Sequence, residues 1–232
     1  MAMEVGHCVG FAAVGAIALG FMWRRKYAGK CDEIVRTRKR VCVFCGSQNG
    51  DDGKFVEMAY LVGKKMAERD VELVYGGGDV GLMGAVSRGV KENGGFVIGI
   101  LPRALINREL KGSECPNSKL YLVDTMHERK QMMAEHCDAY LALPGGVGTF
   151  EEIFEAITWT ALGIQNKTVG LFNIDGFYDP LNQLMETAFS KKFIKSRRVL
   201  NIVVTETEVD ALLDKVLEPR PENPNARWNI KS

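Results

Sequence analysis

The stretch Leu143-Pro-Gly-Gly-Val-Gly-Thr-Phe-Glu-Glu152 combines an anion-binding loop with two acids. Gly145, Gly146 and Gly148 leave backbone N–H groups unobstructed, and Thr149 places a hydroxyl where a helix is expected to begin. Glu151 and Glu152 follow in its first turn, about 100° apart on a helix, so they are not a matched glycosidase pair. The same residues admit a local reading, because Thr149-x-x-Glu152 fits a capping box that merely ties down a helix start. A second loop, Gly76-Gly77-Gly78-Asp79-Val80-Gly81, satisfies G-x-G-x-x-G, and its N–H groups and helix dipole favour a phosphate. A dinucleotide site also needs an acid about twenty positions on. Ile100-Leu101-Pro102-Arg103 occupies that place, which disfavours NAD and leaves NADP only Arg103. Glycines that simply turn a corner are the alternative, although three in a row exceed what a corner requires. The third element is Met126-His127-Glu128-Arg129-Lys130, whose adjacent cations suit a phosphate or a developing negative charge. Its alternative is a solvated helix face with Thr125-x-x-Glu128 as a capping box.

Other chemistries find little support. His7, His127 and His136 have no Ser/Asp or metal-ligand spacing around them, and no Schiff-base lysine stands out. Cys42-Val-Phe-Cys45 has C-x-x-C spacing, but residues three apart on a strand face opposite sides and cannot share a metal. The expected metal set is therefore none, and the cysteines read as small core residues of a reducing compartment.

These loops need a frame that brings them together. Continuous apolar runs at Val41–Gly46, Val71–Tyr75, Phe96–Leu101, Leu120–Val123, Ala139–Leu143, Thr168–Phe172 and Ile202–Val204 alternate with helical patterns. The helices are expected over 55–69, 82–93, 126–136, 149–162, 181–192 and 209–217, and the stretch 103–117 reads as a loop. Unbroken apolar strands imply a parallel sheet covered on both faces, a single α/β domain of Rossmann-like kind. Ligands bind such sheets at the C-terminal strand ends, where Gly46-Ser47, Gly76–Gly84 and Pro144–Thr149 all fall.

The balance of 30 Lys/Arg against 29 Asp/Glu in 232 residues hides an asymmetry. Residues 5–23 carry no formal charge and number about nineteen, near the span of a membrane helix. Eight Lys/Arg follow within 24–40, and the remainder carries a charge of about −4. The chain thus divides into an apolar N-terminal segment (1–23) that is a candidate membrane anchor, a basic linker (24–40), the α/β domain (41–217) and an irregular tail (218–232). The positive-inside rule would place the domain in the cytoplasm. The near-neutral total argues against a nucleic-acid partner.

Taken together, YGGGDVGLMG (75–84), MHERK (126–130) and PGGVGTFEE (144–152) resemble the Lonely Guy family of cytokinin-activating enzymes. CVFCGS (42–47) and TWTALGI (158–164) fit the same pattern, and the resemblance spans about 40–217. It implies a homodimeric Rossmann-like phosphoribohydrolase that cleaves the N-glycosidic bond of a nucleoside 5′-monophosphate without a cofactor. Relatives have often been labelled lysine decarboxylases, a chemistry that nothing in these residues supports. By matching position, Arg129 and Glu152 would be catalytic. Lys130, Gly146, Val147, Gly148, Thr149, Phe150, Glu151, Thr158 and Glu109 would join them in binding substrate. The loop 111–118 is slightly longer than the plant-type pattern, next to Glu109. Gly46, Ser47, Gly77, Gly78 and Met83 form a candidate phosphate or base loop. A non-catalytic nucleotide or cofactor carrier on the same fold is the alternative, with an NADP oxidoreductase third.

Overall fold

Apolar side chains on both faces of the inner strands keep water from both sides of the sheet's centre, whereas the strand at 118–123 leaves Leu120 and Leu122 exposed. The computed structural model describes residues 38–109 and 117–221. Its strands are β1 (Arg40–Phe44), β2 (Glu72–Tyr75), β3 (Val97–Pro102), β4 (Ser118–Val123), β5 (Ala139–Ala142), β6 (Val169–Phe172) and β7 (Val203–Glu206). All pair in parallel, in the order β4-β3-β2-β1-β5-β6-β7. The helices are α1 (Gly53–Glu68), α2 (Gly81–Glu92), α3 (Ile106–Glu109), α4 (Met126–His136), α5 (Val147–Ala161), α6 (Asp179–Ser190), α7 (Arg197–Leu200) and α8 (Val209–Leu217).

Alternation along the strands divides the core. Val41, Val43, Leu73, Leu141 and Leu143 pack with α1, α2 and α8 on one face. Cys42, Phe44, Val74, Ile98 and Tyr140 pack with α4 and α5 on the other. Cys45 belongs to the first cluster and Cys42 to the second, so the two thiols do point to opposite sides of the sheet.

The expected elements are present, with several shifts. β1 begins at Arg40, the last residue assigned to the basic linker, whose Nε donates to Glu72 (2.6 Å). Residues 103–109 form two short helical turns instead of open loop, and α7 was not anticipated. β4 starts at Ser118, two residues earlier than its apolar run, because an edge strand tolerates polar residues. The largest correction concerns α5. It begins at Val147 with Gly146 as N-cap instead of at Thr149, so Thr149 lies inside the helix and the alternative capping-box reading of Thr149-x-x-Glu152 is not realised. The apolar segment 5–23 and most of the 24–40 linker lie outside the described residues. Within the described residues, no helix is long and apolar enough to cross a membrane.

The chain order reverses between β1 and β5, and this is where a parallel sheet opens a crevice at its C-terminal edge. The two loops leaving those strands touch: Gly46 N donates to the Pro144 carbonyl at 3.0 Å.

Candidate active site

The right wall of the crevice is the start of α5. Its helix begins on a glycine with no side-chain cap and has no acid in its first turn. Phe150 N reaches back to the Gly146 carbonyl (3.1 Å), while Val147, Gly148 and Thr149 N–H have no acceptor among the described residues. Three free donors and the positive end of a fifteen-residue helix form an anion site.

The glycines of this loop differ in what requires them. A Cβ on Gly145 would sit 2.7 Å from Thr149 Cβ and 2.9 Å from Gly46 N, so packing demands a glycine there. At Gly146 and Gly148 a Cβ would meet nothing within 4 Å, and neither has a left-handed backbone. Nothing inside the described chain calls for those two glycines. The open space leaves the backbone there accessible to close approach from outside.

The left wall is built by β2 and α4. A side chain on Gly76 would collide with the Arg129 guanidinium, so the first glycine of the triplet makes room for that arginine. Arg129 is only 7% exposed; Nη2 donates to the Gly76 carbonyl (3.4 Å) and Nε is buried without a partner. No carboxylate among the described residues pairs with it. Gly77 and Gly81 both have positive φ (80° and 57°), and a Cβ on Gly81 would lie 2.6 Å from Gln48 N. A Cβ on Gly78 would lie 2.8 Å from the Met83 methyl. The G-x-G-x-x-G loop therefore has internal reasons for its glycines, which the loop at 146–148 lacks. Leu82 N, at the start of α2, already donates to the Gly46 carbonyl (3.1 Å).

Glu152 lies on the inner side of α5 and accepts no hydrogen bond from a described residue. Burial pushes its carboxyl up to about 7, and Arg129 pulls back against that rise. Glu151 and Glu109 add repulsion, and Lys130 a weaker attraction. A buried guanidinium and a half-buried carboxyl thus influence one another without forming an ion pair.

Lys130 behaves differently. Nζ reaches Glu151 (2.5 Å) and Glu155 (2.7 Å), and although burial opposes its charge, these bonds hold it above the ordinary lysine value. Lys130 and Glu151, both expected to bind substrate, are therefore bonded to each other. Phe150 stacks with Phe177 (6.3 Å between centroids) at the rim. Thr158 is exposed farther along α5, away from the loop.

A cleft of about 500 Å³ adjoins the left wall, lined by Ser47, Gln48, Asn49, Asp79, Arg88, Arg108 and Glu109, with Val80 and Gly81. Glu109 is thus brought to the site edge: its carbonyl accepts from Asp79 N (2.8 Å) and its Oε2 is buried without a partner. Gln48, Asn49, Arg88 and Arg108 were not singled out in sequence. Arg88 carried a signal, as the lone exposed residue in the otherwise buried run 82–90, four positions after Gly84 on α2. Tyr178 was also missed; its hydroxyl donates to the Leu143 carbonyl (2.7 Å) and braces the glycine loop from behind. Among the described residues no group of three or more His, Cys, Asp or Glu could hold a metal ion.

Known proteins resemble this chain. A family profile described as "Possible lysine decarboxylase" matches residues 83–216. The chain is 45% identical over 179 residues to the cytokinin riboside 5′-monophosphate phosphoribohydrolase LOG of Oryza sativa subsp. japonica, covering 76% of this chain and 73% of the relative. It is 43% identical over 192 residues to LOG2 of Arabidopsis thaliana, covering 83% and 89%. Among solved structures, the molybdenum cofactor binding protein of Rippkaea orientalis superposes with a TM-score of 0.57 at 20% identity, covering 78% of this chain and 96% of that one. The Moco carrier protein of Chlamydomonas reinhardtii gives 0.56 at 20% identity, covering 78% and 98%. These last two share the fold. With identity above two-fifths across most of its length, the chain belongs to the Lonely Guy family of cytokinin riboside 5′-monophosphate phosphoribohydrolases.

Proposed function

We infer that the protein hydrolyses the N-glycosidic bond of cytokinin riboside 5′-monophosphates, releasing free base and ribose 5-phosphate. The observation that carries this reading is an uncapped glycine cradle beside a buried Arg129 and a half-buried Glu152, neither of which forms an ion pair among the described residues. The 5′-phosphate sits on the N–H groups of Val147, Gly148 and Thr149, and its binding energy orients the ribose. As the C1′–N bond lengthens, positive charge gathers on the ribose. Ionised Glu152 stabilises that charge and orients the water whose oxygen bonds to C1′. The departing nitrogen takes up a proton as the water loses one. Arg129, always charged, holds the substrate and has no role as a proton donor. Glu109 and the adjoining cleft receive the base.

Two further assignments complete the proposal. Val147 (83% exposed), Phe154 (37%) and Leu162 (52%) form an apolar stripe on α5, with Thr158 between the last two. This stripe supports a homodimer. The apolar segment 5–23 and its basic collar anchor the domain to a membrane from the cytoplasmic side; a full-length protein that stays soluble after lysis removes the anchor.

Incubation with isopentenyladenosine monophosphate and with AMP, measuring base and ribose 5-phosphate, tests the activity. Tight nucleotide binding with no base released from any monophosphate transfers the protein to the carrier class.

A further inference from the structure

At the opposite edge of the sheet, below the N-terminal ends of β6 and β7, lies a second cleft of about 540 Å³. Thr160, Asn166, Ser196, Arg198, Asn201 and Arg220 are among its lining residues. Two guanidinium groups share this space. Neither has a carboxylate within ion-pair distance among the described residues. Arg220 Nη1 donates to the Asn201 carbonyl (2.8 Å), but its Nε is buried with no partner. Asn166 Nδ2 donates to the carbonyls of Arg220 (3.4 Å) and Pro221 (3.2 Å), which fixes the backbone that carries the arginine. Burial, and then repulsion from Arg198, hold the Arg220 guanidinium below the ordinary arginine value.

A local structural duty does not account for the pair. The C-terminal end of α5 adjoins the cleft and could attract cations. However, its last carbonyls already accept backbone N–H groups: Thr158 from Leu162 (2.9 Å), Trp159 from Ile164 (2.9 Å) and Thr160 from Gly163 (3.1 Å). Arg220 carries its charge half-buried beside a second, exposed guanidinium, a cost that a counter-charge between the two would offset. Guanidinium forks match the oxygens of a phosphate, and the cleft has the size of a small-molecule site.

We propose that this cleft is a second anion site, separate from the glycine cradle, which takes a soluble phosphate or small phosphate monoester between Arg198 and Arg220. It lies at the other end of α5 from the crevice, so its occupant is not the molecule undergoing cleavage.

Calorimetric titration of the full chain with inorganic phosphate, at about 0.15 M salt to screen loose surface attraction, tests this. Gly148→Val removes the cradle and should leave one phosphate equivalent bound. Adding Arg198→Gln and Arg220→Gln should weaken that remaining binding at least about tenfold, and the two arginine changes alone should leave nucleotide hydrolysis unchanged. If the double change fails to fold, Arg198→Gln alone, at an exposed side chain, should still weaken binding several-fold. AMP titrated into the Gly148→Val protein shows whether an ester is accepted as well as the free ion. The proposal is overturned if Gly148→Val binds no phosphate or if the arginine changes leave its isotherm unaltered. Binding to phosphatidic acid vesicles that depends on both arginines, without any soluble phosphate bound, also overturns it.

Discussion

The starts of α4 and α5 carry the same four-residue pattern, Thr-x-x-Glu, yet one is closed and the other open. At α4, Thr125 Oγ1 accepts from Glu128 N (3.1 Å), while the Glu128 carboxylate accepts from the N–H groups of Thr125 (3.3 Å) and Asp124 (2.9 Å). The helix end is satisfied from within. At α5 the helix starts three residues earlier on Gly146, so Thr149 is turned into the packing against Gly145, and Glu152 is left facing the crevice. The difference is set by what precedes the motif. A glycine that can serve as N-cap displaces the threonine from that role and frees both the N–H groups and the acid for a ligand. At α4 the chain keeps its cap and uses the helix to aim Arg129.

Changing the acid of the open start tests that contrast most strongly. Glu152→Gln should lower kcat by about 10²–10³-fold with nucleotide binding retained, because it removes charge stabilisation from the transition state alone. Unchanged turnover would falsify the catalytic assignment. The cradle comes next: Gly148→Val should raise KM at least about tenfold in steady-state assays with the fold intact, since the new side chain meets only the space assigned to phosphate. Gly145→Ala provides the counterpart, losing stability in denaturant titration because the added methyl meets Thr149 and Gly46.

The pH dependence of the open site has a definite sign. Glu152 titrates near 7 in the folded chain against 4.5 for an ordinary glutamate. The folded state therefore holds an extra proton between those values, and stability falls as pH rises through that window, by up to about 3 kcal/mol. Catalysis runs the other way. The ionised carboxylate is the active form, so kcat/KM should climb with pH and level off above about 7, a limb absent from the residual activity of Glu152→Gln. A flat profile from pH 5 to 8 contradicts the role given to this carboxylate. The smallest effect belongs to the closed helix start: Thr125→Ala should cost about 1 kcal/mol of stability, read from the shift in denaturant midpoint.

Much of this was legible in the chain. Every strand announced itself as a short apolar run, because the inner strands are buried on both faces and even the half-exposed edge strand β4 carries Leu-Tyr-Leu-Val. The three glycine loops were legible too, since each ends a strand. The start of α5 was not, because a capping box and a glycine N-cap compete within the same six residues and only packing at Gly145 decides between them. Four-residue helices such as 197–200 show no periodicity and pass unseen. Arg108 and Gln48 could not be placed because their roles depend on which strands become neighbours, and that order is a property of the whole sheet.

The reversal of strand order between β1 and β5 also divides labour. The N–H groups proposed to grip phosphate and the acid proposed to act on the bond come from the half beginning at β5, whereas Arg129 and the space proposed for the base, walled by residues 47–49, 79–81, 88 and 108–109, come from the other half. The two halves can therefore drift at different rates. Substitutions in the wall of that cleft can retune which base is accepted while the glycine cradle and Glu152 stay fixed, so one scaffold can serve a succession of nucleotides without reinventing its chemistry.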